Sequence, residues 1–492
     1  MSSNRPVLER LTTGNAAFDR ILGGGIPARS VNVIAGQPGA GKTLFSLQML
    51  FALARRGKKG LYFATLSEPS LKLVQYMQQF DFFEESLLQT GVVFADLGSA
   101  IRRQNPEATL NEIAARVERE QPAVVVIDSF KAVRDILGDP ATLRTFVYDL
   151  AVHTATWGAA SLLVGEYTEE EVTRNAEFAI ADGIVRFTNS RRELTAVREV
   201  EVLKLRGADY LTGGHFFEIA SNGLQFFPRV RSVDASDGEP SPGPSDLVSP
   251  PERASTGVVG FDAMLGGGLP RASTSIVLGG TGTGKTLLGL QFLLEGAARG
   301  EAGVLFTLEE TPDQLRGFAQ GLGWDVPEYE RRGLLTLIYN SPVELSTDRF
   351  LDRARRQVES LGARRAVLDS LTSMALGVAS DRRFKELVYA IAKHFRSLGI
   401  TLNMNLEVGD LLGAAQLSGH GVSFAADNVI QLKYVELEGR LERGISVLKA
   451  RGVRHATDVR RLSVESDGVK IGAPFEGLRG VLTGLPVPSG GP

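Results

Sequence analysis

The chain has 492 residues, 43% of them hydrophobic and 23% charged, with a formal net charge of −3. That length exceeds one ordinary core and calls for two or three domains. The near-balanced charge argues against nucleic acid or an anionic membrane as partner, and the absence of cysteine excludes disulfides, thiolate metal sites and cysteine nucleophiles.

The opening residues, Met1-Ser2-Ser3-Asn4-Arg5-Pro6, carry no apolar signal core. No apolar run approaches the roughly 20 residues that span a bilayer. The expectation is a soluble, cytoplasmic protein. Residues 13–27 read TGNAAFDRILGGGIP, and residues 256–270 read TGVVGFDAMLGGGLP. Later landmarks repeat at nearly the same spacing: Gly36 as Gly279, Asp128 as Asp369, Lys204 as Lys449. Such a long period marks duplication of a whole domain rather than a solenoid.

Val31-Asn32-Val33-Ile34-Ala35 reads as a buried strand running into Gly36. The segment Gly36-Gln37-Pro38-Gly39-Ala40-Gly41-Lys42-Thr43 then matches G-x-x-x-x-G-K-T. Gly36, Gly39 and Gly41 let the backbone wrap so that its N–H groups converge on phosphate oxygens. Helical spacing from Leu44 to Arg55 places a positive dipole end behind the loop. Lys42 is predicted to reach the β- and γ-phosphates of ATP, and Thr43 to ligate Mg²⁺.

Gly60–Thr65 reads as the next strand and leads into Leu66-Ser67-Glu68-Pro69. A glutamate there can orient or deprotonate a nucleophile for in-line attack, which makes Glu68 the candidate. Ala123–Asp128 ends in a carboxylate suited to hold Mg²⁺ through water or hydroxyl. Ser161–Gly165 is a fourth strand, followed by Glu166, a candidate nucleotide sensor. Strands alternating with helices predict a parallel sheet covered on both faces. Ile184–Thr188, Glu199–Leu205 and Phe216–Ile219 read as a closing antiparallel part.

Val230 to Glu252, VRSVDASDGEPSPGPSDLVSPPE, is rich in Pro, Ser, Asp and Gly and reads as an extended linker. The expected organisation is a first domain over 1–228, a linker over 229–252 and a second domain over 253–492. The second copy repeats the strand order as Ser275–Leu278, Val304–Thr307, Ala366–Asp369 and Thr401–Asn405. Its loop, Gly279-Gly280-Thr281-Gly282-Thr283-Gly284-Lys285-Thr286, matches the same pattern. Gly279, Gly282, Gly284 and Lys285 are its predicted phosphate-binding residues, and Thr286 and Asp369 its predicted metal ligands. Its strand end reads Thr307-Leu308-Glu309-Glu310, with two candidate bases where the first copy has Ser67 and Glu68. Serine is a poor base at neutral pH, so the first site is expected to hydrolyse ATP more slowly. Glu407 repeats Glu166.

The paired TG…FD…LGGG headers, the two phosphate loops, the T-L-E-E strand end and the K-x-R-G segments at Lys204 and Lys449 resemble the KaiC family. Those are duplicated RecA-like ATPases of the bacterial circadian clock and its relatives. The resemblance implies two tandem RecA-like α/β domains, each a mostly parallel sheet with an antiparallel extension. It implies a homohexamer of two stacked rings with ATP and Mg²⁺ between neighbouring subunits. Lys204 and Arg206, and likewise Lys449 and Arg451, would then reach the γ-phosphate held by the adjacent subunit, as cations that complete a site in trans. His455 matches a family histidine in that segment, and Tyr210 stands in its place in the first copy.

The family also phosphorylates itself on neighbouring Ser and Thr residues of the second domain. Aligned on Asp427, the serine falls on Ser423, while the threonine position holds Phe424; Ser418 is another hydroxyl nearby. The first copy has Glu177-Phe178 where the second has Val422-Ser423. The expectation is autophosphorylation on Ser423 with Glu309 as base, without an ordered two-site cycle. Regulatory protein partners are a further implication, but the short tail Gly472–Pro492 is no match for the family's activator-binding tail.

The five histidines show no metal-ligand spacing, and His153 and His394 read as packing or surface residues. The pairs Arg355-Arg356, Arg364-Arg365 and Arg382-Arg383 read as solvated helix faces rather than a nucleic-acid stripe. Two other classes share this core. A DNA-handling motor would show DNA-stimulated hydrolysis, and a nucleotide-bound scaffold would show little turnover.

Overall fold

The computed structural model describes residues 8–65, 70–102, 105–192, 195–229, 252–342, 347–378, 380–408, 422–481 and 487–488. Two compact units divide the chain, Met1–Arg229 and Val230–Pro492.

The first unit is built on a nine-stranded sheet. Its strands are β1 (Val31–Gly36), β2 (Gly60–Ala64), β3 (Val92–Asp96), β4 (Val124–Asp128) and β5 (Ala160–Glu166). After them come β6 (Gly183–Arg192), β7 (Thr195–Leu205), β8 (Gly214–Ala220) and β9 (Gly223–Phe227). Their order across the sheet is β3-β2-β4-β5-β1-β6-β7-β8-β9. The first six run parallel, and β6 to β9 pair antiparallel.

The second unit repeats the plan. Its strands are β10 (Thr274–Gly279), β11 (Gly303–Thr307), β12 (Leu335–Tyr339), β13 (Arg365–Asp369) and β14 (Thr401–Glu407). They continue with β15 (Asn428–Leu437), β16 (Arg440–Ala450), β17 (Arg460–Glu465) and β18 (Gly468–Pro474). The order β12-β11-β13-β14-β10-β15-β16-β17-β18 is that of the first unit strand for strand.

The strands read as continuous apolar runs because both sheet faces are covered. Alternate residues of one strand enter different cores. Ile34, Tyr62, Val126 and Leu162 pack on the side of the helix Lys42–Ala54. Val33, Leu61, Val125 and Leu163 pack with the helices Pro106–Glu120 and Pro140–Trp157. The edge strands β3 and β12 are absent from the sequence reading. Val92–Asp96 and Leu335–Tyr339 are five residues each and mixed in burial, so neither stands out as the interior strands do. No described helix is long and apolar enough to cross a membrane.

Copies of one fold differ in local stabilisation. Asn15 caps the helix Ala16–Ile21, accepting from the N–H groups of Ala17 and Phe18 and donating to the Leu224 carbonyl at 3.0 Å. Val258 holds the matching position in the second unit and offers no side-chain cap. Asn15→Ala is therefore expected to destabilise the first unit by about 1 kcal/mol. Calorimetry should show its transition lowered by roughly 2–4 °C.

One arginine assignment is corrected. Arg355 and Arg382 do pair with acidic neighbours on exposed helix faces. Arg365 instead lies on β13, 1% exposed, paired with Glu301 at 2.7 Å and donating to the Ser255 and Phe292 carbonyls. A buried cation needs a partner of opposite charge and carbonyl acceptors, and a two-residue basic pattern cannot reveal them.

Candidate active sites

Each glycine-rich loop leaves the carboxyl end of the central strand, β1 or β10. These strands are flanked by β5 and β6 or by β14 and β15. Ligands of open α/β sheets bind at that end, where the chain changes direction. Gly41 and Gly284 cap the following helices with φ of 96° and 104°. A side chain would be strained there, so the pattern needs glycine before the lysine.

Inside the first loop, Lys42 Nζ donates to the Gln37 carbonyl at 2.8 Å. Inside the second, Lys285 Nζ donates to the Gly279 and Gly280 carbonyls, both at 2.9 Å. Burial lowers the pKa of both ammonium groups. Glu166 and Asp128 oppose the shift for Lys42, and Glu407, Asp369, Glu309 and Glu310 oppose it for Lys285. Behind the loops, Thr43 Oγ1 donates to Asp128 Oδ2 at 2.7 Å, and Thr286 Oγ1 to Asp369 Oδ2 at 2.6 Å. The fold thus brings together residues more than eighty positions apart. Burial raises the pKa of Asp369, opposed by its bond from Thr286.

The carboxylates after β11 are treated differently by the fold. Glu309 is exposed, and its Oε1 accepts from Ser370 Oγ at 2.5 Å and Ser373 Oγ at 2.7 Å. Glu310 is half-buried, and its Oε2 is buried without a hydrogen-bond partner. Burial, with Asp369 adding its charge, lifts the Glu310 pKa above the usual carboxylate value. Ser67 and Glu68 lie outside the described residues.

Lys204 and Lys449 sit far from the loops of their own units. Lys204 pairs with Ile184, which is level with Val33, three residues before Gly36. Lys449 pairs with Val429, level with Ile276, three residues before Gly279. Two strands across and three residues along is roughly 14 Å of backbone separation. Lys204 Nζ donates to the Ala179 carbonyl at 3.2 Å, and Lys449 Nζ to the Ala426 carbonyl at 2.7 Å. Arg206 and Arg451 lie 3.2 Å and 4.0 Å from Asp182 and Asp427, and each is 60% exposed. His455 is half-buried, next to Ala456, whose N–H donates to the Met264 carbonyl. Tyr210 OH donates to the Leu203 carbonyl at 3.3 Å.

The backbone of Ser423 lies in the single turn Ser423–Ala425, directly before the Ala426 carbonyl that Lys449 holds. Phe424 is half-exposed and stacks on Tyr389. In the first unit Glu177 is wholly buried, with Arg134 3.9 Å away. Ser418 lies outside the described residues.

Several neighbours of the sites escape the sequence reading. Tyr62 OH donates to Asp128 Oδ2 at 2.9 Å. Thr281 of the second loop bonds Glu407, and Tyr434 and Arg443 both donate to the Gly282 carbonyl. Tyr62 hides among the apolar residues of β2, and Tyr434 and Arg443 reach the loop only because β15 and β16 run beside it. The difference between Pro38 and Thr281 at one loop position was the signal available for the Glu407 contact.

A lysine-bearing loop between strand and helix, in a parallel sheet with an antiparallel extension, is the frame of a RecA-like P-loop ATPase, here present twice. The comparisons with known proteins narrow that class. The family model described as the ATPase KaiC matches residues 11–231 and 254–476, and the chain belongs to that family. It is 31% identical to the circadian clock protein KaiC3 of Synechocystis sp., over 98% of this chain and 95% of that protein. It is 28% identical to the circadian clock oscillator protein KaiC of Picosynechococcus sp., over 97% of this chain and 92% of that protein. The KaiC of Thermosynechococcus vestitus is 29% identical, with the same coverage of 97% and 92%.

Proposed function

We propose that this KaiC-family ATPase binds ATP in both units, hydrolyses it faster in the second, and phosphorylates itself there on Ser423 as a circadian-type regulatory switch. The observation that supports it most is the threonine–aspartate pair found behind a lysine-bearing loop in both units. Gly36, Gly39 and Gly41, and Gly279, Gly282 and Gly284, shape the two phosphate cradles.

Hydroxyl and carboxylate oxygens are the hard donors that Mg²⁺ prefers. Among the described residues no three His, Cys, Asp or Glu side chains form a metal cage. Thr43 with Asp128, and Thr286 with Asp369, would therefore hold the ion together with phosphate oxygens and water. When bound, Mg²⁺ neutralises charge on the phosphates. Lys42 and Lys285 bind the β- and γ-phosphates. Glu309 or Glu310 orients the attacking water and takes its proton.

In the autokinase step Ser423 Oγ forms a bond to the γ-phosphorus, the bond to the bridging oxygen breaks, ADP leaves, and Glu309 takes the hydroxyl proton. Lys204 with Arg206, and Lys449 with Arg451, serve the neighbouring subunit's nucleotide, with His455 beside the second pair. Their distance from the loops of their own units supports that reading. It requires a ring, for which a homohexamer is the assembly. Residues 229–252 are the linker between the two ATPase domains, and 230–251 of them lie outside the described residues. The first unit, with Glu68 as its one acidic candidate and a buried Glu177 where the second has Val422 beside Ser423, contributes more to assembly than to turnover.

Incubating the protein with ATP, sizing it, and mapping phosphate by mass spectrometry tests the proposal. The expected result is a nucleotide-dependent ring carrying phosphate on Ser423 and none at Phe424. An ATP-treated protein without phosphate on Ser423 would remove the kinase assignment and leave the ATPase.

A further inference from the structure

We propose that Ser373 is a positioning residue for the second unit's catalytic carboxylate. It commits Glu309 Oε1 to serine donors and leaves Oε2 to face the nucleophile. This rests on the reading of Glu309 as base.

An exposed glutamate has several free torsions, and catalysis needs one of them selected. The backbone here is already tied, since Leu308 N–H donates to the Asp369 carbonyl at 2.6 Å. The side chain still needs its own restraint, and Oε1 receives it from two hydroxyls at 2.5 and 2.7 Å. The two serines are not equivalent. Ser370 caps the helix Leu371–Leu376 by accepting from the Ser373 N–H, so it has a structural task besides. Ser373 caps no helix; its hydroxyl donates to Glu309 and accepts a longer bond from the Ser370 hydroxyl at 3.3 Å. In the first unit the matching position after Asp128-Ser129 holds Ala132, which offers no donor. The carboxylate so held stands close enough to act electrostatically on Lys285 and Asp369. It therefore lies beside the phosphate loop and the proposed metal ligand.

Removing the Ser373 hydroxyl loosens the Glu309 side chain. The experiment measures steady-state kcat and KM for ATP with the full chain, for Ser373→Ala, Ser373→Thr, Glu309→Gln and the Ser373→Ala/Glu309→Gln double variant. Ser373→Ala should lower kcat roughly three- to tenfold with KM for ATP unchanged. Ser373→Thr, which keeps the hydroxyl, should restore kcat. In the Glu309→Gln background Ser373→Ala should add nothing.

Wild-type turnover in Ser373→Ala beside an impaired Glu309→Gln would overturn the inference alone. An equal loss in both backgrounds would do the same, because it marks a structural role. Full turnover in Glu309→Gln would overturn the base assignment and this inference with it.

Discussion

Exchanging Lys285 for alanine is expected to strip the second unit of ATP, weakening binding there roughly 100-fold or more. The first unit should keep its nucleotide. The ammonium group lies within the curve of its own loop, 2.9 Å from two carbonyls of that loop. Phosphate oxygens entering the loop would exchange those neutral acceptors for charged ones. Bonds between opposite charges are shorter and stronger than those to neutral carbonyls, and alanine forms none. Binding titrations should give two sites per chain for the wild type and one for the variant. Two undisturbed sites would contradict the assignment.

The same lysine sets a pH dependence. Burial holds its pKa below the ordinary 10.5, and bound phosphate favours the charged form. Binding at alkaline pH should therefore take up protons, and affinity should fall as pH rises through the lysine pKa. Without nucleotide the sign for stability is opposite. The unfolded chain holds this proton more tightly, so Lys285 contributes stability as pH rises toward its unfolded value.

The second large effect concerns Lys449 and Arg451. Replacing both by alanine should reduce second-site turnover by roughly 1,000-fold, the scale of an arginine supplied to a neighbouring nucleotide. Lys449 lies two strands across from its own loop, and its Nζ is held at the Ala426 carbonyl. Complementation follows from that placement. A Lys449→Ala/Arg451→Ala chain retains a sound loop, and a Lys285→Ala chain retains sound cations. Mixed in equal amounts and reassembled, they should regain about one quarter of wild-type second-site turnover, because each head-to-tail interface draws its two halves independently. A mixture no more active than its components would show that these cations do not act across subunits.

Much of this was legible in the sequence because it rests on local chemistry. The G-x-x-x-x-G-K-T segments require glycine where φ is positive and lysine at the helix start, so Gly41, Lys42, Gly284 and Lys285 could be placed by pattern. The buried strands β1, β4, β10 and β13 were readable as apolar runs. What pattern could not supply was the pairing of distant residues. Ser373 looks like any helix serine until β11 and β13 lie side by side and bring Glu309 to it. Arg365 looks like a surface cation until Glu301 and two carbonyls are found around it. The edge strands β3 and β12 lack the two-sided burial that makes their neighbours conspicuous. The Lys204 and Lys449 segments were recognisable by their K-x-R-G spelling, but only the strand register shows how far each lies from its own loop.

Under the proposed function, two similar loops serve unequal chemistry, with the second unit carrying most of the turnover. Steady-state ATP hydrolysis by the full chain, compared among wild type, Glu68→Gln and Glu309→Gln/Glu310→Gln, tests it most directly. The double exchange in the second unit should remove most of the turnover, while Glu68→Gln should remove a minor part. Turnover unchanged by the double exchange, or lost chiefly with Glu68→Gln, would contradict it.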